Sequence, residues 1–308
     1  MNTQSTAMPE SFGSQGIPPV VLSATRPFYW SIRRELWENR SIYIAPLGVA
    51  AVYLVGFLLS MISLPHRMRA LSALDPAAQH HALLKPYDFA AGLLMLTQIL
   101  VGFFYSLDAM HSERRDRSIL FWKSLPVSDF TTVLSKAAVP IVIVPLFTFA
   151  VTFATQSVML LMSSVVLLGS GQSNATLWTQ LSFLQMSLML LYHLVTIHSL
   201  WHAPFYGWLL LVSAWARRAA ILWAVLPVLA IAFVEKIAFN TSYFAAMLGH
   251  RLAGGSEAFT APGAMPLDPM THLTPGNFIL SPGLWLGLGV TAAFLYAAAE
   301  VRRYREPI

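Results

Sequence analysis

Three histidines are the ionisable residues that lie deepest in an apolar stretch of this sequence: His193, His198 and His202. Buried imidazoles can bind a metal, relay a proton or hydrogen-bond to a neighbouring helix. His198 and His202 are four residues apart and share a helix face, a spacing that suits a metal ion, but His193 lies roughly 140° around the helix from His198. The pattern therefore favours His193 and His198 as helix-to-helix hydrogen-bonding groups or as the polar lining of a cavity, without a bound metal.

The composition indicates an integral membrane protein. The 308 residues have a mean hydropathy of +0.61, and only 11% are charged, against roughly a quarter in soluble domains. Cysteine is absent, which excludes disulfides and thiolate metal sites. The net charge of +5 comes from cations beside apolar segments, so membrane topology explains it better than nucleic-acid binding.

The apolar segments predict an all-α polytopic fold with six transmembrane helices, at residues 42–64, 88–107, 138–168, 177–201, 219–239 and 282–300. Phe205–Ala216 is too short to cross, so we interpret it as an extension of the fourth span to residue 216, broken near Pro204. Pro140 and Pro145 predict a kink where the third span begins. With both termini in the cytosol, fourteen Lys and Arg lie inside and five outside; a seventh span would give eleven and eight. The positive-inside rule favours six.

The N-terminal region predicts a tail followed by an interfacial helix. Residues 1–25 are rich in Ser, Gln, Gly and Pro and have no signal-peptide core, which indicates a disordered cytoplasmic tail. Residues 26–308 form one transmembrane domain. Its first segment, Arg26–Arg40, has an apolar stripe of Tyr29, Ile32 and Leu36, so we expect a helix lying in the membrane interface. Its other faces hold Arg33, Arg34 and Glu35.

The segment between the second and third spans carries the densest basic cluster: Arg114, Arg115, Arg117, Lys123 and Lys136. Glu113 precedes Arg117 by four residues, which predicts a helical ion pair. Pro126 is expected to end that helix, and Ser128 suits the N-cap of the next one. We therefore predict two short helices joined by a proline turn on the cytoplasmic membrane surface, with the apolar run of residues 119–122 within the first.

This segment resembles the inner loop of the ATP-binding-cassette (ABC) type-2 permeases, the membrane subunits of many bacterial exporters. Glu113 stands at the family's acidic position, Pro126-Val127-Ser128 matches its Pro-x-Ser, and Ser135-Lys136 stands where Gly-Lys is usual. Arg117-Ser118 departs from the usual Gly-Thr, which puts any backbone feature that needs the glycine in doubt. The family also enters the membrane through an elbow helix with an acidic residue, which Glu35 resembles.

The resemblance implies a permease subunit of an ABC exporter in the bacterial inner membrane, working by alternating access. Such a chain is not itself an enzyme and holds no cofactor, because ATP and Mg²⁺ bind two separate ATPase subunits. A second permease subunit completes the transporter. The inner loop would be the coupling helix that contacts the ATPase, through Glu113, Arg114, Arg117, Ser118, Phe121, Trp122, Pro126 and Ser128. Arg33, Arg34 and Glu35 would belong to the elbow helix.

Several alternatives remain open at the level of sequence. The histidines permit a metal-dependent membrane enzyme or an ion-coupled carrier. The apolar run at Phe121 and Trp122 could contact the ATPase or lie in the lipid interface. Thr241–Leu252 is compatible with a helix that dips into the membrane or with a surface loop. Gly283 and Gly287 form a GxxxG pair, which suits close helix contact but is common in membrane helices.

Overall fold

The fold is helical throughout the part of the chain that is described. The computed structural model describes residues 25–71, 73–124, 127–171, 173–254 and 275–304. Six helical segments in these ranges are long and apolar enough to cross a membrane, so the all-α polytopic fold is confirmed. The predicted tail lies outside the described residues except for Thr25, and Pro126 also lies outside them.

The helix bounds are as follows. The first half comprises α1 (Thr25–Glu38), α2 (Ser41–Ser60), α3 (Leu64–Leu71), α4 (Pro76–Asp108), α5 (His111–Arg115), α6 (Ile119–Lys123) and α7 (Asp129–Ala138). The second half comprises α8 (Val144–Gly169), α9 (Ala175–Gln180), α10 (Phe183–His193), α11 (Ala203–Trp215), α12 (Ala220–Phe239), α13 (Tyr243–Leu252), α14 (Pro275–Leu280) and α15 (Pro282–Tyr304). A 3₁₀ turn (Met61–Ser63) joins α2 to α3, and π-helical turns at Val139–Ile143 and Leu194–Trp201 follow α7 and α10.

The first two crossings are longer than the apolar segments that predicted them. The first is helical from Ser41 to Leu71 and the second from Ala78 to Arg115, so residues 65–87, which lie between the two predicted spans, are mostly helical. The side chain of Asp75 accepts a hydrogen bond from the backbone N–H of Ala78 at 3.1 Å, and proline occupies the first helical position after it. This is a favourable helix start, which the hydropathy pattern does not contain.

The third crossing carries the distortion that its prolines predict. Asp129–Gly169 is one continuous helical segment, with the π turn at Val139–Ile143 between α7 and α8. Pro140 lies in this turn and Pro145 in the first turn of α8. A proline within a helix removes a backbone donor and clashes with the preceding turn, and a wider turn accommodates it.

The fourth crossing is interrupted twice, whereas the sequence predicted one break. The chain leaves helical geometry at Leu181 and Ser182, between α9 and α10, and again at His202. The second break is the one predicted near Pro204, which occupies the first turn of α11. The carbonyl oxygens of Ala214 and Ala216 accept hydrogen bonds from Arg114 at 2.7 and 3.2 Å. Helix α11 therefore ends beside α5, where the predicted extension of the fourth crossing would end; that extension stays a prediction.

The bundle has two chemically different ends. At the charged end, α1, α5, α7 and the last turns of α11 and α15 come together around Glu113, which pairs with Arg34 of α1 and Arg302 of α15. At the opposite end, apolar side chains of α3, α4, α8 and α9 form a core cluster that includes Leu64 and Leu177. Both α1 and the last turn of α15 lie at the charged end, as an even number of crossings requires.

Of the six crossings, the one formed by α12 is the least buried in the protein. Of its most apolar window, 11% is buried, against 50% for the crossing that contains α4. Its contacts are concentrated where it begins, with Ala220 and Ala224 buried against α11. In a membrane an apolar helix needs no protein around it, because its backbone groups are satisfied internally.

The GxxxG pair of α15 accommodates an arginine. Nη1 of Arg251, at the end of α13, donates to the carbonyl oxygen of Gly283 at 2.7 Å, and a Cβ added at Gly287 would coincide with Nη2 of Arg251. The guanidinium carbon lies 4.1 Å from the ring centroid of Trp201. Arg251 thus holds α13 against α15 and the fourth crossing. It fits there only because Gly287 has no side chain.

We predict that Gly287→Ala displaces Arg251 and costs about 1–2 kcal/mol, the worth of the hydrogen bond and the cation–π contact. Gly289→Ala is the matched control, because a Cβ there meets nothing within 4 Å. Thermal unfolding in detergent should show destabilisation by the first substitution alone. If Gly287→Ala is as destabilising in an Arg251→Gln background as in the wild type, the inference that Gly287 leaves space for Arg251 is refuted.

Candidate functional site

Six charged side chains at the charged end form a continuous set of ion pairs, which we call the charge network. Three are cations and three are carboxylates. They come from α1, α5, α7 and α15, and are Arg34, Glu35, Glu113, Asp129, Lys136 and Arg302. The charges of these six groups sum to zero, and the network joins helices that are remote in sequence. A half-exposed seventh group, Glu38 of α1, makes a longer contact with Arg34 at 3.6 Å.

Glu113 is the centre of the network. Its Oε1 lies 2.6 Å from Nη2 of Arg34 and 3.0 Å from Nζ of Lys136, and its Oε2 lies 2.5 Å from Nη1 of Arg302. The carboxylate is only 5% exposed. Three cations from three helices thus share one buried anion.

A second buried carboxylate, Glu35 of α1, closes the network on its other side. Its Oε1 accepts from Nζ of Lys136 at 2.8 Å, and its Oε2 accepts from the Tyr105 hydroxyl at 2.9 Å. Lys136 and Glu35 are each 1% exposed. The tyrosine belongs to α4, so the second crossing is bonded to the elbow helix as well.

The C-terminal helix enters the network through Arg302. Its Nε lies 3.0 Å from Oδ1 of Asp129, the first residue of α7, while its Nη1 holds Glu113. The neighbouring Lys123 of α6 donates to the carbonyl oxygen of Arg303 at 3.2 Å, which satisfies an acceptor at the end of α15. The last turn of the last crossing is therefore fixed to the loop helices.

Four of the six charged side chains are buried, whereas Arg34 and Asp129 are 19% and 30% exposed. Burying charge is costly, and this cost bears on what the network does. Ion pairs in a low-dielectric interior recover the lost hydration only when nearly every group is paired, and an apolar replacement of the same volume is often as stable. At Arg34, burial lowers the pKa, but the carboxylates of Glu35 and Glu113 more than offset it, so the pKa is raised and the guanidinium stays charged. Such a network fixes the relative positions of helices better than it adds stability.

Helix α1 is amphipathic in the sense that suits a membrane interface. It buries Glu35 while the aromatic side chains of Tyr29, Trp30 and Trp37 are more than half exposed. Arg33, also on the exposed side, places its guanidinium carbon 5.1 Å from the ring of Trp30 and 5.4 Å from that of Trp37. The elbow helix predicted here is present, with its acidic residue turned into the bundle.

The predicted first loop helix is two helices, and the predicted Glu113–Arg117 ion pair is wrong. Asp116, Arg117 and Ser118 separate α5 from α6, and Arg117 adopts φ = 60°. This left-handed conformation favours glycine, which is the residue usual at this position in the permeases. Arg117 is exposed, whereas Glu113, its predicted partner, is paired within the network. Ser118 donates weakly to the backbone carbonyl of Glu113, at 3.4 Å.

Arg114 is not an exposed contact residue, which corrects the expectation that it offers charge to a partner. It is buried, and its Nη1 donates to the carbonyl oxygens of Ala214 and Ala216 at the end of α11. The hydroxyl of Ser213 accepts from the backbone N–H groups of Met110 and His111 at the start of α5. Two reciprocal caps thus fix α5 to the end of α11.

The two aromatic residues of α6 have different surroundings. Trp122 is half-buried, with the guanidinium carbon of Arg34 3.8 Å from its ring centroid. Phe121 packs edge-on against Trp122, at 4.9 Å between ring centroids, and is 60% exposed, as is Leu120. Ile119 is buried. The predicted apolar surface therefore consists of Leu120 and Phe121, and Trp122 is part of the support beneath it.

The predicted start of the next helix is confirmed. The hydroxyl of Ser128 accepts from the backbone N–H of Thr131 at 3.0 Å, and α7 begins at Asp129. Pro126 lies outside the described residues, so the proline turn stays a prediction.

The histidines are buried, and the helix is not α-helical where they lie. His202 donates its backbone N–H to Ile197, and Ser199 its hydroxyl to the carbonyl of Leu194, each five residues back. In a π turn residues five apart align, so the angle of roughly 140° between His193 and His198, which assumes an α-helix, is wrong. The rings of His198 and His202 lie 5.6 Å apart.

Within the described ranges, no three His, Asp or Glu side chains are grouped closely enough to share a metal ion. His202 has its Nε2 3.3 Å from the carbonyl oxygen of Leu252 in α13, a contact between two helices of the kind that the sequence favours. The cavity-lining role of His193 and His198 stays a prediction.

Sequence reasoning missed half of the network. In the sequence, Lys136 and Arg302 are cations beside predicted spans, and Asp129 is an acidic residue directly after the Ser128 N-cap. Tyr105 was part of an apolar span. A weak signal existed for Lys136. It lies two residues before the apolar segment that begins at residue 138, and no acidic residue is near it in sequence. If it is buried, it must therefore pair with a carboxylate from a distant part of the chain.

Comparisons of the chain with protein-family models, with curated proteins and with solved structures found no match.

We predict that Glu113→Gln lowers the free energy of unfolding by about 3–5 kcal/mol, because Arg34, Lys136 and Arg302 would then share only Glu35 and the partly exposed Asp129 within the network, which leaves an excess of buried positive charge. Adding Lys136→Met should recover part of this loss by removing a cation with the anion. Arg115→Gln, which breaks an exposed pair with Asp116, is the control and should change the stability little, because solvent screens such a pair. Unfolding in mixed micelles measures all three, and an additive double variant would contradict a shared network.

We predict that Arg117→Gly stabilises the protein by about 0.5–1 kcal/mol. Glycine adopts the left-handed conformation without a steric cost, and this gain exceeds the larger backbone entropy that glycine loses on folding. Arg115→Gly, two residues earlier in α5, should destabilise by about 1 kcal/mol. Opposite signs in thermal unfolding are expected. Loss of stability in both variants would mean that the Arg117 side chain, rather than its backbone, matters to the fold.

Proposed function

We propose that this chain is the membrane-spanning permease subunit of an ATP-driven ABC transporter, and its resemblance to the type-2 permeases favours an exporter. Helices α5 and α6 form the coupling element that receives motion from a separate ATPase. The supporting observation is the charge network around Glu113, which ties α5 to the elbow helix, to the start of the third crossing and to the end of the last one.

The geometry suits the transfer of movement from the loop to the spans. Ion pairs and caps fix α5 on four sides, through Arg34, Lys136, Arg302 and the α11 end at Ala214. A push on α5 cannot be absorbed by the loop itself, because each contact is with a different crossing or with the elbow helix. Alternating access requires such a rigid connection between the ATPase and several spans.

The coupling surface that we propose is Leu120 and Phe121 on α6. Both are exposed apolar side chains beside an exposed basic residue, Arg117. Trp122 and Arg34 hold the helix from beneath. A rigidly supported aromatic residue with charge nearby is the usual form of a protein-binding hot spot.

The partners follow from the same proposal. Two ATPase subunits would bind ATP and Mg²⁺ and contact α6, and a second permease subunit would complete the pathway. The sparsely packed surface of α12 is available to that second subunit. The proposed location is the bacterial inner membrane with the charged end in the cytosol, where the positive-inside rule puts the cations.

We predict that a photoreactive phenylalanine analogue at position 121 crosslinks the chain to a protein that carries a phosphate-binding Gly-x-x-x-x-Gly-Lys-Ser/Thr motif, identified by mass spectrometry. Phe121→Ala should weaken co-purification of that protein by roughly 10- to 30-fold, as loss of a central aromatic contact does. Phe130 on α7, 53% exposed at the same end, and Tyr243 on α13, 78% exposed, are the control positions for crosslinking.

Two results would contradict the proposal. One is crosslinking from position 121 to lipid alone, with Phe121→Trp and Phe121→Ala behaving alike, which would make α6 a membrane-interface element. The other is stoichiometric ATP binding by the isolated chain. Metal bound to the purified protein, lost with His198→Ala, would support the enzyme alternative, and transport in vesicles without ATP would support the carrier.

A further inference from the structure

A cleft at the opposite end of the bundle is independent of the charge network. It has a volume of about 490 Å³ and lies between the first two crossings, with part of the third and fourth behind it. Its walls are mainly carbon, from Phe57, Met61, Leu64, Met68, Leu83 and Tyr87. The volume falls within the range of small-molecule sites.

A contact between the first two crossings fixes their relative position beside this cleft. The Tyr53 hydroxyl of α2 donates to the carbonyl oxygen of Pro86 within α4 at 2.6 Å. The ring of Tyr53 lies 5.9 Å from that of Phe89, and all three residues line the cleft. The helices are thus joined at one edge, and the cleft is the space that this contact leaves beside it.

Two cations lie at the polar margin of the cleft. Arg67 of α3 and Lys85 of α4 both line it and are both exposed. Nη2 of Arg67 donates to the carbonyl oxygen of Ser60 at 3.1 Å, which limits where its guanidinium can lie. None of the described residues that line the cleft is acidic.

By helix length, Arg67 lies at the depth expected for lipid head groups. Helix α2 has 20 residues, which cover roughly 30 Å, the thickness of the hydrocarbon core. Arg67 follows its end by seven residues, while Phe89, which lines the cleft, is 63% exposed to the surroundings. The apolar cleft suits an acyl chain, and the basic residues at its margin suit a negatively charged head group.

We propose that this cleft binds an anionic phospholipid, with an acyl chain between α3 and α4 and the phosphate between Arg67 and Lys85. Charge selects the occupant: a zwitterionic lipid offers the same hydrocarbon but no net negative charge. Basic pockets between membrane helices recognise anionic head groups in this manner. The site lies at the far end of the bundle from α6 and does not depend on the proposed coupling role.

Native mass spectrometry of the purified chain, without any ATPase, tests the site. The probes are phosphatidylglycerol and phosphatidylcholine with identical acyl chains. The wild type should bind phosphatidylglycerol more tightly, and Arg67→Gln with Lys85→Gln should weaken that binding by roughly 30-fold, the effect of two interfacial cations. Arg67→Lys with Lys85→Arg, which keeps both charges, should retain the preference.

Two further variants separate a specific site from surface charge. Arg69→Gln removes an exposed cation of the same helix that does not line the cleft, and should leave the preference intact. Ala82→Phe fills the cleft and should reduce binding of both lipids, with gel filtration confirming a folded protein. The proposal is overturned if the double Gln variant keeps the preference, if Arg69→Gln loses it equally, or if folded Ala82→Phe binds both lipids normally.

Discussion

The arrangement of the charged end depends on one buried carboxylate that three cations share. Glu113 could not remain ionised at 5% exposure without them, and Arg34, Lys136 and Arg302 would repel one another without it. Because these cations come from the elbow helix, the third crossing and the last crossing, none of the three elements can move far without leaving a charge unpaired. The loop helix α5, which carries Glu113, is therefore the common attachment point of helices that are far apart in sequence.

Local features of the fold could be predicted from the sequence, because each depends on neighbouring residues. Apolar length gave the six crossings, Ser128 gave the start of α7, and the prolines gave the distortion in the third crossing. The network could not be predicted, because its pairs join residues 79 and 189 positions apart. Helical spacing indicated Arg117 as the partner of Glu113, whereas the left-handed backbone at Arg117 ends α5 before that pair can form.

Helix α1 illustrates how a membrane reverses the usual meaning of amphipathicity. In a soluble protein the aromatic face would be buried and the charged face hydrated. Here Trp30 and Trp37 are exposed, as interfacial aromatic residues are, and Glu35 is buried among cations. The helical pattern therefore predicted the helix but not which of its faces contacts the rest of the protein. The apolar stripe of Ile32 and Leu36, for example, is only partly buried.

The π turns bear on how this chain can be compared with other sequences. Each such turn contains one residue more than the α turn that it replaces. Removal of a single residue from Val139–Ile143 would restore ordinary helical geometry there while α7 and α8 kept the faces that they now present to their neighbours. A one-residue gap in an alignment at this segment is thus compatible with an unchanged helical core, whereas the same gap within α4 would rotate everything that follows by about 100°.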